Sequence, residues 1–194
     1  MPPSVIIISG PAGSGKSTLA EHLAKALNYK CVHASDIFRQ IQENKKKLDA
    51  FATKQGQGYW ESDAALKYYD TRLGDLSLDK QVDEELLAAI AKGKVVMDSW
   101  ATPWLSKTGF KIWLDVSEKA RLQRLVGRDG MPTEKLRLRV KTKEEKTSAI
   151  YKQLYGFDFG KDFSPFHARL DTNGLDEFQV LEKALELVKA AKEK

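Results

Sequence analysis

The sequence predicts a three-layer α/β fold in which a parallel sheet of roughly five strands is covered by helices on both faces. Two observations lead to this prediction. Short apolar segments alternate with amphipathic helical segments, and the apolar segments are continuous, as in strands buried on both faces. Strands separated by helices in this way pair in parallel. The 194 residues make one domain, 1–194, because domains usually comprise about 100 to 200 residues.

The first two strands and the first helix follow from their residue patterns. SVIIIS at 4–9 is a β-branched run that predicts a buried strand. In the segment 17–28 leucines recur at the spacing of one helix face, and Asn28 lies near the expected end of that helix. KCVHAS at 30–35 predicts a second short strand.

The remaining elements repeat these two patterns, with one break. A helix is predicted at 36–48, with Ser35 or Asp36 as its N-cap. From 51 to 62 the pattern gives way to glycines, glutamines and adjacent aromatic residues, which predicts a loop or a mobile hairpin. Further strands are predicted at 94–99, 110–116 and 167–172, and further helices at 62–73, 79–93, 117–130, 132–156 and 175–194.

The composition is that of a globular protein and argues against several functions. No apolar run approaches the roughly 20 residues that cross a bilayer, and no secretory signal is recognised, so we expect a cytoplasmic location without a membrane partner. The formal net charge is +5, but basic residues are dispersed among acidic ones, so a nucleic-acid partner is not expected. Cys31, the single cysteine, has apolar neighbours and is expected to pack in the core. The three histidines lack metal-ligand spacing and are interpreted as structural.

The glycine-rich segment SGPAGSGKS follows the first strand directly and fits the motif G-x-x-x-x-G-K-[ST]. Glycines let backbone N–H groups turn around an anion, and the start of the following helix adds the positive end of its dipole. The lysine would reach the β and γ phosphates, and the serine hydroxyl would bind Mg²⁺. The motif therefore predicts a P-loop NTPase fold that binds ATP or GTP with magnesium. The predicted nucleotide-binding residues are Gly10, Pro11, Ala12, Gly13, Ser14, Gly15, Lys16, Ser17 and Thr18.

The rest of the sequence favours a kinase of small molecules over other classes of P-loop protein. A GTPase would normally carry the guanine-reading motif N-K-x-D, which the sequence lacks, and a motor ATPase would normally need partner domains. Small-molecule nucleotides are therefore the expected partners.

Several segments, in the correct order, resemble the nucleoside monophosphate kinases, and within them the short cytidylate kinase type of archaea. HASDIFR at 33–39 is similar to the family's A-G-D-I-F-R, VVMDSWATPW at 95–104 to its V-V-L-E-G-R-L-A-G-W, and KIWLDV at 111–116 to its K-I-W-L strand. The resemblance extends over nearly all of the chain. It implies phosphoryl transfer from Mg·ATP to a nucleoside monophosphate, with CMP or dCMP as the first candidates.

The resemblance implies an acceptor site on the helix that follows the second strand. Arg39 would bind the phosphate of the acceptor, and a surface salt bridge with Glu43 is the alternative. Asp36 would either contact the acceptor or only cap its helix. The acceptor-binding lobe would comprise about 35–92, by resemblance to the family.

The resemblance also implies a catalytic set built around Lys16. Asp98 would hold a water molecule on Mg²⁺, with capping of a strand end as the alternative. Arg124 and Arg128, one helical turn apart, resemble the paired arginines at the base of the family's lid, which would comprise about 124–147. One of the two would lie near the adenine and the other would stabilise the transferring phosphoryl group.

Several acceptor-side positions depart from the family pattern. Trp100 stands in place of an arginine and Ser99 in place of a glycine, while Lys143 and Ile150 replace the arginines that flank the family's R-E-…-R-Y segment. Trp100 would stack on a ring or line an apolar slot, or it would pack in the core like the other tryptophans. The segment 56–75 is extra relative to the short family pattern and would enlarge the acceptor lobe or form a dimer surface, so both monomer and homodimer stay open.

These departures keep two further functions open. One is a P-loop kinase whose acceptor is another small metabolite, because losing planar arginines alters the site that binds the acceptor. The other is a nucleotide-dependent regulatory or nucleic-acid-associated protein with weak ATPase activity.

Overall fold

The computed structural model describes residues 1–44, 72–130 and 133–191 of the chain. Over these residues it confirms the predicted α/β fold with a parallel sheet between helical layers. The loop predicted at 51–62 lies outside the described residues, as do Trp60, most of the helix predicted at 62–73 and most of the extra segment 56–75.

Among the described residues, five strands form one sheet in which every neighbouring pair is parallel. The strands are β1 (Val5–Ser9), β2 (Lys30–His33), β3 (Val95–Asp98), β4 (Phe110–Asp115) and β5 (Ala168–Asp171), and their order across the sheet is β2-β3-β1-β4-β5. The connection that follows β1 leads to β2 at one edge of the sheet, whereas the connection that follows the neighbouring strand β3 leads to β4 in the opposite direction. Open α/β sheets bind ligands at the carboxyl ends of strands where connections diverge in this way.

Helices connect and follow these strands. They are α1 (Lys16–Leu27), α2 (Ala34–Asn44), α3 (Ser77–Ala91), α4 (Thr102–Leu105), α5 (Glu118–Asp129), α6 (Thr133–Tyr155) and α7 (Glu177–Ala190). The four-residue helix α4 is not among the predicted elements. Within the described part of the chain, no helix combines the length and the apolar character that crossing a membrane requires.

The two faces of β1 explain why its sequence does not alternate. Ile6 and Ile8 are fully buried in a cluster with residues of α1 and α7. Val5 and Ile7 face the opposite cluster, which contains residues of α2 and α3. Because both faces of the strand are covered, each position is apolar. A third, smaller cluster packs Ala12 of the glycine-rich loop against α5 and α6.

The helix ends confirm the end signal expected at Asn28 and correct the N-cap expected for α2. Asn28 ends α1 in the left-handed conformation with φ of 55°, and Gly130 ends α5 with φ of 64°. The hydroxyl of Ser117 accepts a hydrogen bond from the amide of Ala120 and so caps α5. The prediction that Ser35 or Asp36 caps α2 is wrong, because the helix begins at Ala34 and places both side chains in its first turn.

Candidate active site

The glycine-rich loop joins the carboxyl end of β1 to the amino end of α1. Gly13 has φ of 74°, and a Cβ atom added to it would lie 2.9 Å from Leu125 Cγ and 3.0 Å from the carbonyl oxygen of Arg121. Only glycine fits this conformation and this close approach. The amide of Leu19 donates the first helical hydrogen bond to Gly15 O at 3.0 Å, so the amides of residues 16–18 precede it. Such amides at a helix start are suited to an anion.

Lys16 is buried, with 8% of its surface exposed, although it carries a charge. Its Nζ donates a hydrogen bond to Pro11 O at 2.9 Å and lies 5.5 Å from the centroid of the Trp100 ring. A carbonyl oxygen and an aromatic face both stabilise an ammonium group. The fold therefore holds the lysine at the loop rather than releasing it to solvent.

Ser17 and Asp98 place two oxygens of the type that Mg²⁺ prefers next to the loop. Ser17 Oγ donates a hydrogen bond to Asp98 Oδ2 at 2.5 Å, and His33 Nδ1 lies 3.4 Å from the same oxygen. Hydroxyl and carboxylate oxygens are hard ligands that suit magnesium. The donor set therefore fits the metal that the motif implies.

The carboxylate of Asp98 and the imidazole of His33 stabilise each other's charge. The hydrogen bond with Asp98 is the main reason why the pKa of His33 is raised from 6.5 to about 10. Burial alone would raise the pKa of Asp98, but hydrogen bonds with His33 and Ser17 and the charge of Lys16 lower it below its ordinary value. Asp98 is therefore ionised at neutral pH, as a metal-binding carboxylate must be.

Asp36, Arg39 and Trp100, which are predicted to bind the acceptor, line the same cleft as the loop. Arg39 forms an ion pair with Asp36, three residues earlier on α2. Trp100 is half-buried and stacks on Phe159 with ring centroids 4.5 Å apart and planes inclined by 8°. Lys143 Nζ lies 5.5 Å from the centroid of the same indole ring. Trp100 thus has a packing contact with Phe159 and also lines the cleft.

Arg124 and Arg128, the two arginines of α5 with predicted catalytic roles, have different surroundings. Arg124 donates hydrogen bonds to Ser14 O at 3.1 Å and to Thr172 O at 2.8 Å, so it joins the loop to the segment after β5. Burial lowers the pKa of Arg124 from its ordinary value. Arg128 pairs with Asp129, through Nε and Oδ1 at 2.5 Å and Nη2 and Oδ2 at 2.7 Å.

One open cleft of about 1130 Å³ brings most of these residues together. Its lining contains every predicted site residue except Gly10 and Pro11. The predicted residues in the lining are Ala12, Gly13, Ser14, Gly15, Lys16, Ser17, Thr18, Asp36, Arg39, Asp98, Trp100, Arg124 and Arg128. Their binding roles stay predictions.

The other tryptophans of the described residues are structural. Trp113 is 4% exposed, and its indole N–H donates to Asp115 Oδ1 at 3.0 Å. Trp104 stacks on Phe157 and donates its indole N–H to Asp162 Oδ2 at 2.9 Å. Within the described residues, no group of His, Cys, Asp and Glu side chains has the arrangement of a separate metal site.

Sequence reasoning missed three polar residues that contact the site. His33 was treated as structural, yet it lies against Asp98. Arg121 and Glu144 contact the backbone of the loop residue Ala12. The spacing of Arg121, one turn before Arg124 on the same helix face, was a usable signal, whereas Glu144 stands among many charges of α6 with no distinguishing pattern.

The fold and the glycine-rich loop are those of the P-loop class of proteins, and the comparisons with known proteins make this one a phosphotransferase. The chain belongs to the cytidylate kinase-like family, whose model matches residues 5–174.

Individual proteins agree with this assignment. The chain is 31% identical over 171 residues to a cytidylate kinase of Pyrococcus abyssi, and the aligned region comprises 87% of this chain and 84% of the relative. It is 29% identical over 188 residues to a cytidylate kinase of Haloarcula marismortui, covering 96% and 90%. These relatives are matched over most of their length, so the similarity is not confined to the loop.

Solved structures agree on the fold. A shikimate kinase from Bacteroides thetaiotaomicron superimposes with a TM-score of 0.59 at 18% identity, covering 95% of this chain and 98% of that one. An uncharacterized protein from Eubacterium ventriosum reaches a TM-score of 0.67 at 11% identity, covering 96% and 98%.

Proposed function

We propose that this protein transfers the γ-phosphoryl group of Mg·ATP to a nucleoside monophosphate, giving the diphosphate and ADP, with CMP or dCMP as the first acceptors. The observation that carries the proposal is a single cleft that contains the phosphate-binding loop, the Ser17–Asp98 pair and the Asp36–Arg39 pair. The relatives named cytidylate kinase support CMP as the acceptor.

The donor half of the cleft would bind the triphosphate through backbone amides and Lys16. The ammonium group would leave Pro11 O and contact the β and γ oxygens as a point charge. Ser17 would ligate Mg²⁺ directly and Asp98 would hold it through water, with His33 keeping the carboxylate oriented. The metal, when bound, neutralises charge on the phosphates.

Arg124 and Arg128 of α5 would have different roles in nucleotide binding and catalysis. Arg124 donates a hydrogen bond to Thr172 O, close to residues 175–178, which also line the cleft, and would lie beside the adenine. Arg128 lies one turn nearer the connection between α5 and α6 and would exchange Asp129 for the transferring phosphoryl group. This region, about 124–147, is proposed as the lid.

The acceptor half would use Arg39 to bind the phosphate of the monophosphate. Its guanidinium group already forms an ion pair with Asp36, and it would exchange this partner for the phosphate or bind both. The acceptor phosphate is an anion that attacks in line, so no protein nucleophile is needed. The acceptor-binding lobe is proposed to comprise about 35–92, and Trp100 would line it with its ring.

A second candidate is a kinase of another small metabolite, and Trp100 is the observation that favours it. An indole ring cannot replace the bidentate hydrogen bonds of an arginine to a phosphate. An alcohol acceptor would need a general base. Both carboxylates have polar partners, but Asp36 suits this role better than Asp98, because its side chain is 53% exposed and that of Asp98 only 12%.

A panel of acceptors distinguishes these candidates. The protein is incubated with Mg·ATP and CMP, dCMP, UMP, AMP, GMP or non-nucleotide alcohols, and the products are separated by anion-exchange chromatography. CDP or dCDP as the main product supports the proposal. A phosphorylated alcohol supports the second candidate, and ADP without any phosphorylated acceptor contradicts both and indicates a regulatory ATPase.

A further inference from the structure

Both backbone polar groups of Ala12 in the glycine-rich loop form hydrogen bonds with side chains of helices α5 and α6. Arg121 Nη1, on α5, donates to Ala12 O at 3.0 Å. Glu144 Oε1, on α6, accepts from the amide of Ala12 at 3.0 Å. Arg121 Nη1 also donates to the same Glu144 oxygen at 2.5 Å. Three hydrogen bonds therefore join one peptide segment, one guanidinium and one carboxylate; we call Arg121, Glu144 and Ala12 the loop clamp.

The residues of the loop clamp are largely shielded from solvent. The Arg121 and Glu144 side chains are only 12% and 23% exposed. Ala12 itself is 4% exposed and packs in the cluster formed by Leu122, Leu125, Leu136 and Val140. Its methyl group is thus buried among apolar residues of both helices while its peptide groups are hydrogen-bonded to them. Charge-assisted hydrogen bonds at low exposure are stronger than those in water.

The clamp alters the expected use of the loop. The sequence motif suggests that Ala12 offers its amide to the nucleotide, but that amide donates to Glu144. A carboxylate in contact with an anion-binding loop would repel the phosphates if it stood alone. Arg121, at 2.5 Å, supplies the compensating charge.

We infer that Arg121 and Glu144 are positioning residues for ATP binding: Glu144 orients the loop through the Ala12 amide, and Arg121 screens the Glu144 carboxylate from the triphosphate. The inference rests on the proposed function, since it assumes that a triphosphate occupies the loop. It assigns different effects to the two partners. Loss of Arg121 exposes a negative charge to the phosphates, whereas amidation of Glu144 removes that charge and keeps the oxygen that accepts from Ala12.

The test compares Arg121→Met, Glu144→Gln and the double variant. Calorimetry measures the Kd of Mg·ATP and of inorganic tripolyphosphate, which isolates the phosphate contribution. We expect Arg121→Met to weaken binding of both ligands by about tenfold or more, because the Glu144 carboxylate then repels the phosphates without a compensating charge. Glu144→Gln should strengthen binding about twofold to fivefold, because Arg121 then carries an uncompensated positive charge. The double variant should recover most of the loss seen in Arg121→Met.

A second ion pair on the same two helices is the matched control. Arg137 Nε of α6 lies 3.0 Å from Glu118 Oε1 of α5, and the pair is exposed. Arg137→Met removes an α5–α6 ion pair without altering the clamp. It should leave the Kd of both ligands within about twofold, as expected for an exposed pair. The acceptor KM should change little in all variants, because the clamp contacts the donor half.

Two results would overturn the inference. One is a double variant that binds no better than Arg121→Met, since the loss would then come from damaged packing and not from charge. The other is a Glu144→Gln protein that binds more weakly than wild type, a result that stands even if Arg121→Met does not fold. Failure of the proposed function looks different: wild-type protein itself would bind neither Mg·ATP nor tripolyphosphate.

Discussion

Replacing Asp83 with asparagine is expected to reduce the loss of stability that the protein shows between about pH 4 and 7. Asp83 is 7% exposed on α3 and accepts a hydrogen bond from the hydroxyl of Tyr155 at 2.7 Å. Burial is the main reason why its pKa is raised from 3.8 to about 7, with a further contribution from the charge of Asp79, while Tyr155 and Arg72 act in the opposite direction.

The sign and size of the effect follow from proton linkage. Between the two pKa values the folded protein holds a proton that the unfolded chain releases, so stability falls as pH rises. The stabilisation is complete below about pH 4 and is lost as pH passes through 7. A difference of roughly three pKa units at 1.36 kcal/mol each sets an upper bound of about 4 kcal/mol, and we expect roughly 2 to 4 kcal/mol.

Urea unfolding monitored by circular dichroism between about pH 4.5 and 8, a range that includes the shifted pKa, measures this directly. Wild-type protein should lose stability across the range, and Asp83→Asn should show a smaller loss. The control is Asp158→Asn, which removes an exposed carboxylate paired with Lys152 and should keep the wild-type slope. Equal slopes for wild type and Asp83→Asn would refute the reasoning.

Three further predictions concern the loop and its neighbours. Lys16→Ala should lower kcat for phosphoryl transfer by about 10² to 10³ or more, because it removes the main positive charge that stabilises the transferring phosphoryl group. A coupled assay for ADP measures this rate, and a rate equal to that of the wild type would contradict the prediction. Trp100→Leu should lower kcat/KM roughly threefold to tenfold, because it removes the aromatic face beside Lys16 and Lys143. An unchanged kcat/KM would show that this aromatic face does not contribute to catalysis. Gly13→Ala should cost about 1 to 3 kcal/mol of stability, since the φ of Gly13 is 74° and Leu125 lies 2.9 Å from the added Cβ. Gly127→Ala is the control and should raise Tm, because Gly127 lies inside a helix with open space around it. A lower Tm for Gly127→Ala than for Gly13→Ala in thermal unfolding would contradict this prediction.

The sheet and most helices could be predicted because their signals are local. Continuous β-branched runs such as Val5–Ser9 are apolar at each position covered by a helix layer, and that pattern does not depend on distant residues. End signals such as Ser117 and Gly130 act within one turn of the chain. The start of α2 at Ala34 was missed because two polar residues in its first turn imitated a cap.

Of the candidate site, only the part formed by the contiguous glycine-rich motif could be predicted from the residue pattern alone. The loop residues are adjacent in sequence, so their chemistry could be read directly. Glu144 and Ala12 are 132 positions apart, and His33 and Asp98 are 65 positions apart, so no local pattern reveals either contact. These pairs meet because parallel strands and their connections deliver side chains to one edge of the sheet. Long-range polar contacts of this kind require the fold.

Calorimetric titration of Mg·ATP into the wild-type protein and into Lys16→Ala tests the central claim most directly. We predict saturable binding at one site per chain for the wild type and strongly weakened binding for the variant, with both proteins unfolding at similar temperatures. Absence of binding to the wild type, or equal affinity in the two proteins, would contradict the claim that this loop holds the triphosphate whose end group is transferred.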